Sequence, residues 1–493
     1  MKKLPIFYSA LLLTGVNLLL RLVGTSFQIY LSGLIGAEGI GLLQLILSIS
    51  MMANVAAIAG IRTSAMYLTA EELGKNRSSL IRWILSACLR YSTITSLLVS
   101  ALLYFLAPNI AEKWIGRPDT LWLIRSICIF LPINCFNSVM VGYFTGANKI
   151  GRLAAVEIAE QALCMVITVA LLKGWAKSDT VKCCQAVIFG NGLGGILTLL
   201  CLTILRLKEK TPKTDKIPLK NRLISLALPL AAADDLKVGI NTLENMMVPQ
   251  RLALFSGISS PLAAFGMVTG MVFPILMFPA CVLYGLNELL IPELARCNAS
   301  GSNQRVMYLV KRGLKVAFLY GLTFGGLEFM LAETLCMRFY GSYDAGSYLK
   351  MYALLIPMLY CDAIVDAMTK GLGQQKKCVF YNIVTSTLDV ILLYILLPKY
   401  GMNGYFISFF VTHFINFILS IRRLFKITKL QFPLRTPLLA AISAAVAIVA
   451  AGRFTYHWSK VVIYLSMMLS LFSLGKVIKK EDVHWIAGLI KRK

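Results

Sequence analysis

About fourteen apolar runs, each close to the twenty residues that a helix needs to cross a bilayer, follow one another through this sequence. They fall near residues 8–31, 40–62, 83–107, 120–145, 153–173, 182–205, 224–248, 263–290, 313–334, 349–369, 378–398, 403–421, 436–452 and 460–477. No single water-soluble core absorbs that much apolar surface, and in lipid the backbone of each run satisfies its own hydrogen bonds by forming a helix. A composition of 58% hydrophobic against 15% charged residues, with a mean hydropathy of +0.73, excludes a soluble chain. The expected fold is an all-α polytopic membrane protein.

The opening Met1-Lys2-Lys3 and the apolar run after it resemble a secretory signal, but the run continues past Arg21 to about Leu31 without a small-x-small cleavage site and is read as a first span. A net charge of +26 would suggest nucleic acid in a soluble protein. Here the basic residues are scattered over many short loops, so they report topology and no nucleic-acid partner is expected. With both termini in the cytoplasm, inner loops hold roughly 33 Lys and Arg and outer loops about 10, the asymmetry of the positive-inside rule. The chain is therefore placed in the cytoplasmic membrane, and a monomer is expected. The twelve cysteines lie mostly in apolar runs without Cys-x-x-Cys spacing, so they read as span filler and not as a zinc site or disulfide framework.

Weak echoes divide the chain in two. Ile35-Gly36 and Glu72-Leu73 recur as Ser256-Gly257 and Glu293-Leu294 at one offset, and Thr145-Gly146-Ala147-Asn148 is echoed by Lys370-Gly371-Leu372-Gly373. Their spacing suggests two parallel six-helix repeats. The expected organisation is an N-lobe over 1–206, a basic cytoplasmic linker over 207–222, a C-lobe over 223–426, two extra helices over 427–480 and a basic tail over 481–493 that suits an anionic inner leaflet.

The most constraining run is the seventh, LALPLAAADDLKVGINTLENMMVPQR over 226–251, because it carries charges. Asp234, Lys237, Asn241, Glu244 and Asn245 recur at steps of three or four and share one helical face. A charge at the bilayer centre costs on the order of 3 kcal/mol even on lenient scales, so that face is expected to meet a bundle interior or a watery cavity. Asp234 and Asp235 project about 100° apart, and one of them is expected to pair with Lys237. Two readings stand: a carboxylate that carries a proton or sodium ion, or a neutralised pair that fixes packing. Glu244 and Arg251 read as a gate or as an interfacial pair.

The stretches LLLRLVGTSFQIYLSGLIGAEGIGLLQ (18–44), VGYFTGANKIGRLAAVEIAEQ (141–161) and TLENMMVPQRLALFSG (242–257), the last running on into GMVTGMVFPILMFPACVLYGLNELLIPELA (266–295), resemble the stage V sporulation protein B-like family. That family sits in the oligosaccharide-exporting, lipid II flippase-like branch of the multidrug/oligosaccharidyl-lipid/polysaccharide exporter superfamily. The resemblance implies a V-shaped pair of lobes working by alternating access. It also implies that the partner is a polyprenyl-pyrophosphate-linked sugar precursor, with membrane lipids around it. Arg21-Leu22-Val23-Gly24 matches the arginine pattern of the flippases' first helix, whereas Phe27 stands where a second arginine is expected. Lipid II, a related lipid-linked glycan and the spore-cortex precursor all stay open.

Thr14, Asn17, Arg21, Thr25 and Gln28 form a polar stripe through the first span. A guanidinium at that depth can fork onto phosphate oxygens, or can be held by a neighbouring acid for packing. Arg21, Asn17, Gln28, Asn241 and Arg62 are the candidate substrate contacts, and Arg62 can equally snorkel to the interface. Asp234, Asp235, Lys237, Glu244 and Arg251 are the ion-coupling or gating candidates, with H+ or Na+ as the coupling ion and no other cofactor. Glu157, Glu160 and Gln161 read as sugar or cation contacts or as interfacial polar groups, and His413 as a proton relay or a packing residue. Pro132, Pro229 and Pro357 are expected to interrupt helices 4, 7 and 10, and Pro274 with Pro279 helix 8. No phosphate-binding Gly-x-x-x-x-Gly-Lys-Ser/Thr loop is present, so neither ATP hydrolysis nor enzymatic activity is expected. The competing functions are a cation-coupled multidrug exporter and a non-transporting envelope or sporulation assembly factor.

Overall fold

A computed structural model describes residues 6–75, 78–176, 179–209, 220–430, 435–454, 456–475 and 477. It is helical throughout: α1 (Ile6–Ile58), α2 (Ile61–Gly74), α3 (Ile81–Asn109), α4 (Leu121–Gly146), α5 (Ile150–Leu171), α6 (Thr180–Leu207), α7 (Lys220–Leu252), α8 (Pro261–Gly266), α9 (Phe273–Leu276), α10 (Ala280–Ala299), α11 (Asn303–Tyr340), α12 (Tyr343–Ala353), α13 (Ile356–Gly371), α14 (Gln375–Thr428), α15 (Arg435–Gly452) and α16 (His457–Leu474). Side-chain oxygens start several of them. Asp179 accepts from the amides of Val181 and Lys182, Ser260 from Ala263 and Ser342 from Ala345, satisfying donors that a helix start leaves open. Most of the expected linker and the basic tail lie outside the described residues.

Among the described residues, nine helices are long and apolar enough to cross a membrane, or eleven when two bent pairs are counted as one span each. Two of the nine are too long for one crossing. α1 has 53 residues and α14 has 54, about 80 Å of helix against a hydrocarbon core of about 30 Å. Each folds back at a glycine: Gly36 (φ 67°, ψ −178°) and Gly401 (φ 56°, ψ −136°) occupy a region that side chains with a Cβ avoid. Contacts prove the reversals. Gln28 and Ile40 both lie against Gly270, although twelve residues of straight helix would separate them by about 18 Å. Ser408 bonds to Asp389 across the Gly401 turn at 2.5 Å. With both hairpins divided and the charged α7 added, the spans follow the order of the apolar runs in the sequence. At Gly401 a Cβ would also meet the Phe255 ring at 2.8 Å. Gly401→Ala is expected to cost about 1–3 kcal/mol from backbone strain alone. In thermal unfolding, adding Phe255→Ala should restore only the steric part of the loss.

Prolines act unequally. The chain bends by 63° between Pro261–Leu276 and Ala280–Ala299, next to Pro279, and by 57° between α12 and α13, next to Pro357. α4 and α7 run on through Pro132 and Pro229, so the interruptions expected there do not occur. The freed carbonyl of one turn is tolerated inside a long packed helix, whereas both observed bends fall where a proline occupies the start of a new helix.

The chain divides into two compact units, Met1–Gly270 with Ser386–Ser408, and Met271–Thr385 with Phe409–Lys493. In the first, Ile40, Leu43 and Ile46 of α1 pack with Leu123, Ile127 and Leu131 of α4 and Val187 of α6. A second layer joins Ile61 and Leu68 of α2 to Ile84 of α3 and Tyr143 and Phe144 of α4. In the second unit a stripe of Ala440, Ala444, Ala447 and Ala451 on α15 lets Tyr464, Met468 and Phe472 of α16 approach closely. The sequence echo after the fourth and tenth spans has a structural counterpart: Asn148 and Gly373 close their turns with φ of 54° and 77°.

At one end of the first unit, Glu209 ties three helix ends together. Lys149 Nζ lies 2.5 Å from its Oε2, Arg152 Nη1 3.1 Å from its Oε1 and Arg206 Nη1 3.9 Å from Oε2. The Tyr143 hydroxyl donates to Oε2 at 2.5 Å. Burial pushes the Glu209 carboxyl up, but the hydrogen bonds from Lys149 and Tyr143 and the charges of Lys149 and Arg206 outweigh it, and the net shift is downward. A lowered folded value means that the stabilisation is complete above the ordinary 4.5 and is lost as pH falls through the folded value. The Tm difference between the protein and Glu209→Gln should therefore shrink on acidification below that point. A difference independent of pH would contradict the assignment.

Candidate functional site

The polar face of α7 is shared between two neighbours in the first unit. Thr242 Oγ1 donates to the Ser48 carbonyl at 3.2 Å and Asn245 Nδ2 to Ser48 Oγ at 2.9 Å, which fixes α7 against the second half of α1. Glu244 points elsewhere. Its carboxyl lies within electrostatic reach of the carboxyl of Asp389, in the first leg of the α14 hairpin. Asp389 is buried, and the buried Ser408 hydroxyl on the second leg donates to its Oδ1. Buried Tyr405 lies within electrostatic reach of both acids.

Two carboxyls brought together in a membrane-spanning bundle repel one another when both are charged, so the pair forms a place where a proton or a monovalent cation can bridge them. Its oxygen-only surroundings suit a hard ion. Among the described residues no group of three or more His, Cys, Asp or Glu is placed to hold a metal ion.

Glu244 and Arg251 do not form the expected gate pair. Arg251 lies over the Tyr394 ring, 3.2 Å from its centroid, and the neighbouring Gln250 amide donates to the carbonyls of Lys113 and Trp114. The two residues sit two turns apart on α7, and the α14 hairpin offers each its own partner. Asp235 is partly buried within electrostatic reach of Tyr91, while Lys237 and Asn241 are exposed. The side chains of Asp234 and Asn17 lie outside the described residues.

On the α1 stripe, Arg21 is exposed, and Gln28 two turns later donates to the Gly270 carbonyl at 3.1 Å. Arg62 on α2 is exposed, and its charge reaches Glu157 of α5. Glu157 also feels Glu160, which hydrogen-bonds Thr198 of α6. Asn134 of α4 donates to Asn54 Oδ1 at 2.9 Å and Asn137 to the Gly195 carbonyl at 2.8 Å. The arginines of α1 and α2, the amides of α1 and α4 and the acids of α5 thus lie in the first unit together with the carboxyl pair of α7 and α14. Arg125 lies over the rings of Tyr104 and Trp122 at 4.5 and 5.5 Å.

In the second unit, Asn416 donates to Asp362 Oδ2 at 3.1 Å, and Glu328 is buried. His413 stacks on Phe409 at 3.9 Å and its Nδ1 lies 2.9 Å from the Phe409 carbonyl, which is a packing arrangement. The sequence reading missed Asp389, Asp362 and Glu328. The signal was available in each case, since each is an acid inside an apolar run, Asp389 alone in its run, Asp362 with Asp366 and Glu328 with Glu333.

Comparison with known proteins agrees with this picture. Residues 7–234 match the family described as polysaccharide biosynthesis protein. The chain is similar to stage V sporulation protein B of Bacillus subtilis (strain 168), 22% identical over 417 residues that cover 82% of this chain and 80% of that protein. The fold is similar to that of the lipid II flippase MurJ in an inward closed conformation, with a TM-score of 0.70 at 14% identity over 94% of this chain and 98% of that one. It is also similar to that of a multidrug resistance MATE family transporter of the MOP superfamily in an inward-facing conformation, with a TM-score of 0.62 at 16% identity over 89% of this chain and 98% of that one.

Proposed function

We propose, from the premise that residues 7–234 of this chain match the polysaccharide biosynthesis protein family and that its fold is similar to those of the lipid II flippase MurJ and a MATE family transporter, that it is a flippase. Its substrate is a polyprenyl-pyrophosphate-linked oligosaccharide or peptidoglycan precursor, which it turns across the cytoplasmic membrane by alternating access, with both termini inside. The observation that carries this reading is the pairing of exposed arginines with a separate carboxyl pair within the first unit. Arg21 and Arg62 stand on α1 and α2, and the Glu244–Asp389 carboxyl pair stands on α7 and α14. The first set suits a diphosphate head group, because a guanidinium forks onto phosphate oxygens. The second suits a proton or sodium ion whose movement drives the cycle.

The test uses purified protein in vesicles carrying a polyprenyl-pyrophosphate-linked sugar, with leaflet reorientation followed with and without proton and sodium gradients. Reorientation that depends on the protein and quickens under one gradient supports the reading, and none with any such lipid sinks it. Glu157 and Glu160, acids on α5, favour a second reading as a cation-coupled multidrug exporter. That reading expects a deletion strain to become sensitive to cationic drugs.

A further inference from the structure

The Glu209 cluster has an unbalanced charge. Among the described residues three cations, Lys149, Arg152 and Arg206, pair with this one carboxylate and with no second acid. Among the described residues two of these positive charges have no matching acid at the end of a membrane-spanning bundle, and one of the three, Arg206, is buried, where an unmatched charge is costly.

The cluster has a floor and an open side. Tyr143 is 1% exposed, and Arg206, 8% exposed, lies over its ring at 5.0 Å with a buried Nε that has no hydrogen-bond partner. Lys149 Nζ also donates to the Tyr143 hydroxyl at 3.1 Å. Towards solvent, the side chains of Lys149 and Arg152 are 30% and 45% exposed. Glu209 enters from the first residues after α6, through a backbone held by the bonds Lys208 N–H to Ile204 O and Glu209 N–H to Arg206 O and by Arg206 Nη1, which donates to the Glu209 carbonyl at 3.3 Å. An anion with two negative charges and more acceptor oxygens than a carboxylate fits the remaining donors better than Glu209 does.

We propose that Tyr143, Lys149, Arg152 and Arg206 form a binding site for a dianionic phosphate group, and that Glu209 is its internal occupant, which leaves when phosphate enters. Entry releases the start of the segment that follows α6. The site is separate from Arg21 and Arg62, so it stands whether or not the flippase reading does.

The experiment uses the full chain in phosphatidylcholine nanodiscs, with inorganic phosphate as one probe and incorporated phosphatidic acid as the other. Phosphatidylglycerol, a monoanionic lipid, is the control. Glu209→Gln is expected to bind phosphate at least about tenfold more tightly than the unaltered protein, because it removes a tethered competitor present at high effective concentration. Adding Lys149→Gln and Arg152→Gln should abolish that gain. Stabilisation by phosphatidic acid alone assigns the phosphate to a lipid head group, and stabilisation by inorganic phosphate alone assigns it to a soluble compound. Equal effects of phosphatidylglycerol and phosphatidic acid overturn the assignment, as does equal affinity with and without Glu209. Should Glu209→Gln fail to fold, the unaltered protein still decides. Saturating phosphate must speed amide exchange at Lys208 and Glu209, and unchanged exchange rejects the site.

Discussion

Arg21→Ala is expected to lower leaflet reorientation of a pyrophosphate-linked sugar by about 10- to 100-fold, the equivalent of losing one charge-assisted hydrogen-bonded pair. The side chain is exposed on α1, so its removal opens no cavity, and the amount of protein in the membrane should not change. Arg21→Lys keeps the charge but not the planar fork, so it should recover part of the rate only. The comparison separates a phosphate contact from a packing residue, because a packing role predicts reduced expression in both variants. Full transport by Arg21→Ala in the vesicle assay would refute the contact.

Asp389→Asn is expected to remove the response to a proton or sodium gradient while leaving the fold intact. Asparagine can still accept from the Ser408 hydroxyl, but it cannot exchange a proton. Glu244→Gln should behave in the same way. Asp389→Ala takes from the buried Ser408 hydroxyl its carboxylate acceptor, leaving the weaker bond to the backbone carbonyl of residue 389, and should cost about 1–3 kcal/mol of stability. Transport by Asp389→Asn that still follows the gradient would remove the pair from the coupling path, whatever the identity of the ion.

Much of the fold was legible because lipid imposes a length on each apolar run. Even α7, whose charges make it the least apolar span, could be placed by its helical polar face. The turns at Gly36 and Gly401 were legible only as gaps between runs, since nothing local distinguishes a one-residue reversal from a continued helix. The candidate site was less legible. Glu244 stood out in a charged run, but Asp389 lies in TSTLDVILLYILL, and no single sequence shows that two acids 145 positions apart will come together. Glu244 and Arg251 invited a pairing along α7, and the α14 hairpin supplied separate partners from elsewhere in the chain. Pro132 and Pro279 look alike in sequence, and only packing determined which of them marks a bend.

The one-residue reversals at Gly36 and Gly401 bear on biogenesis. With no hydrophilic loop between their legs, neither leg can be threaded alone and wait at the surface for the other. Each pair must leave the translocon as a helical hairpin in a single step, so an epitope tag or glycosylation acceptor spliced into either turn would block assembly instead of reporting sidedness.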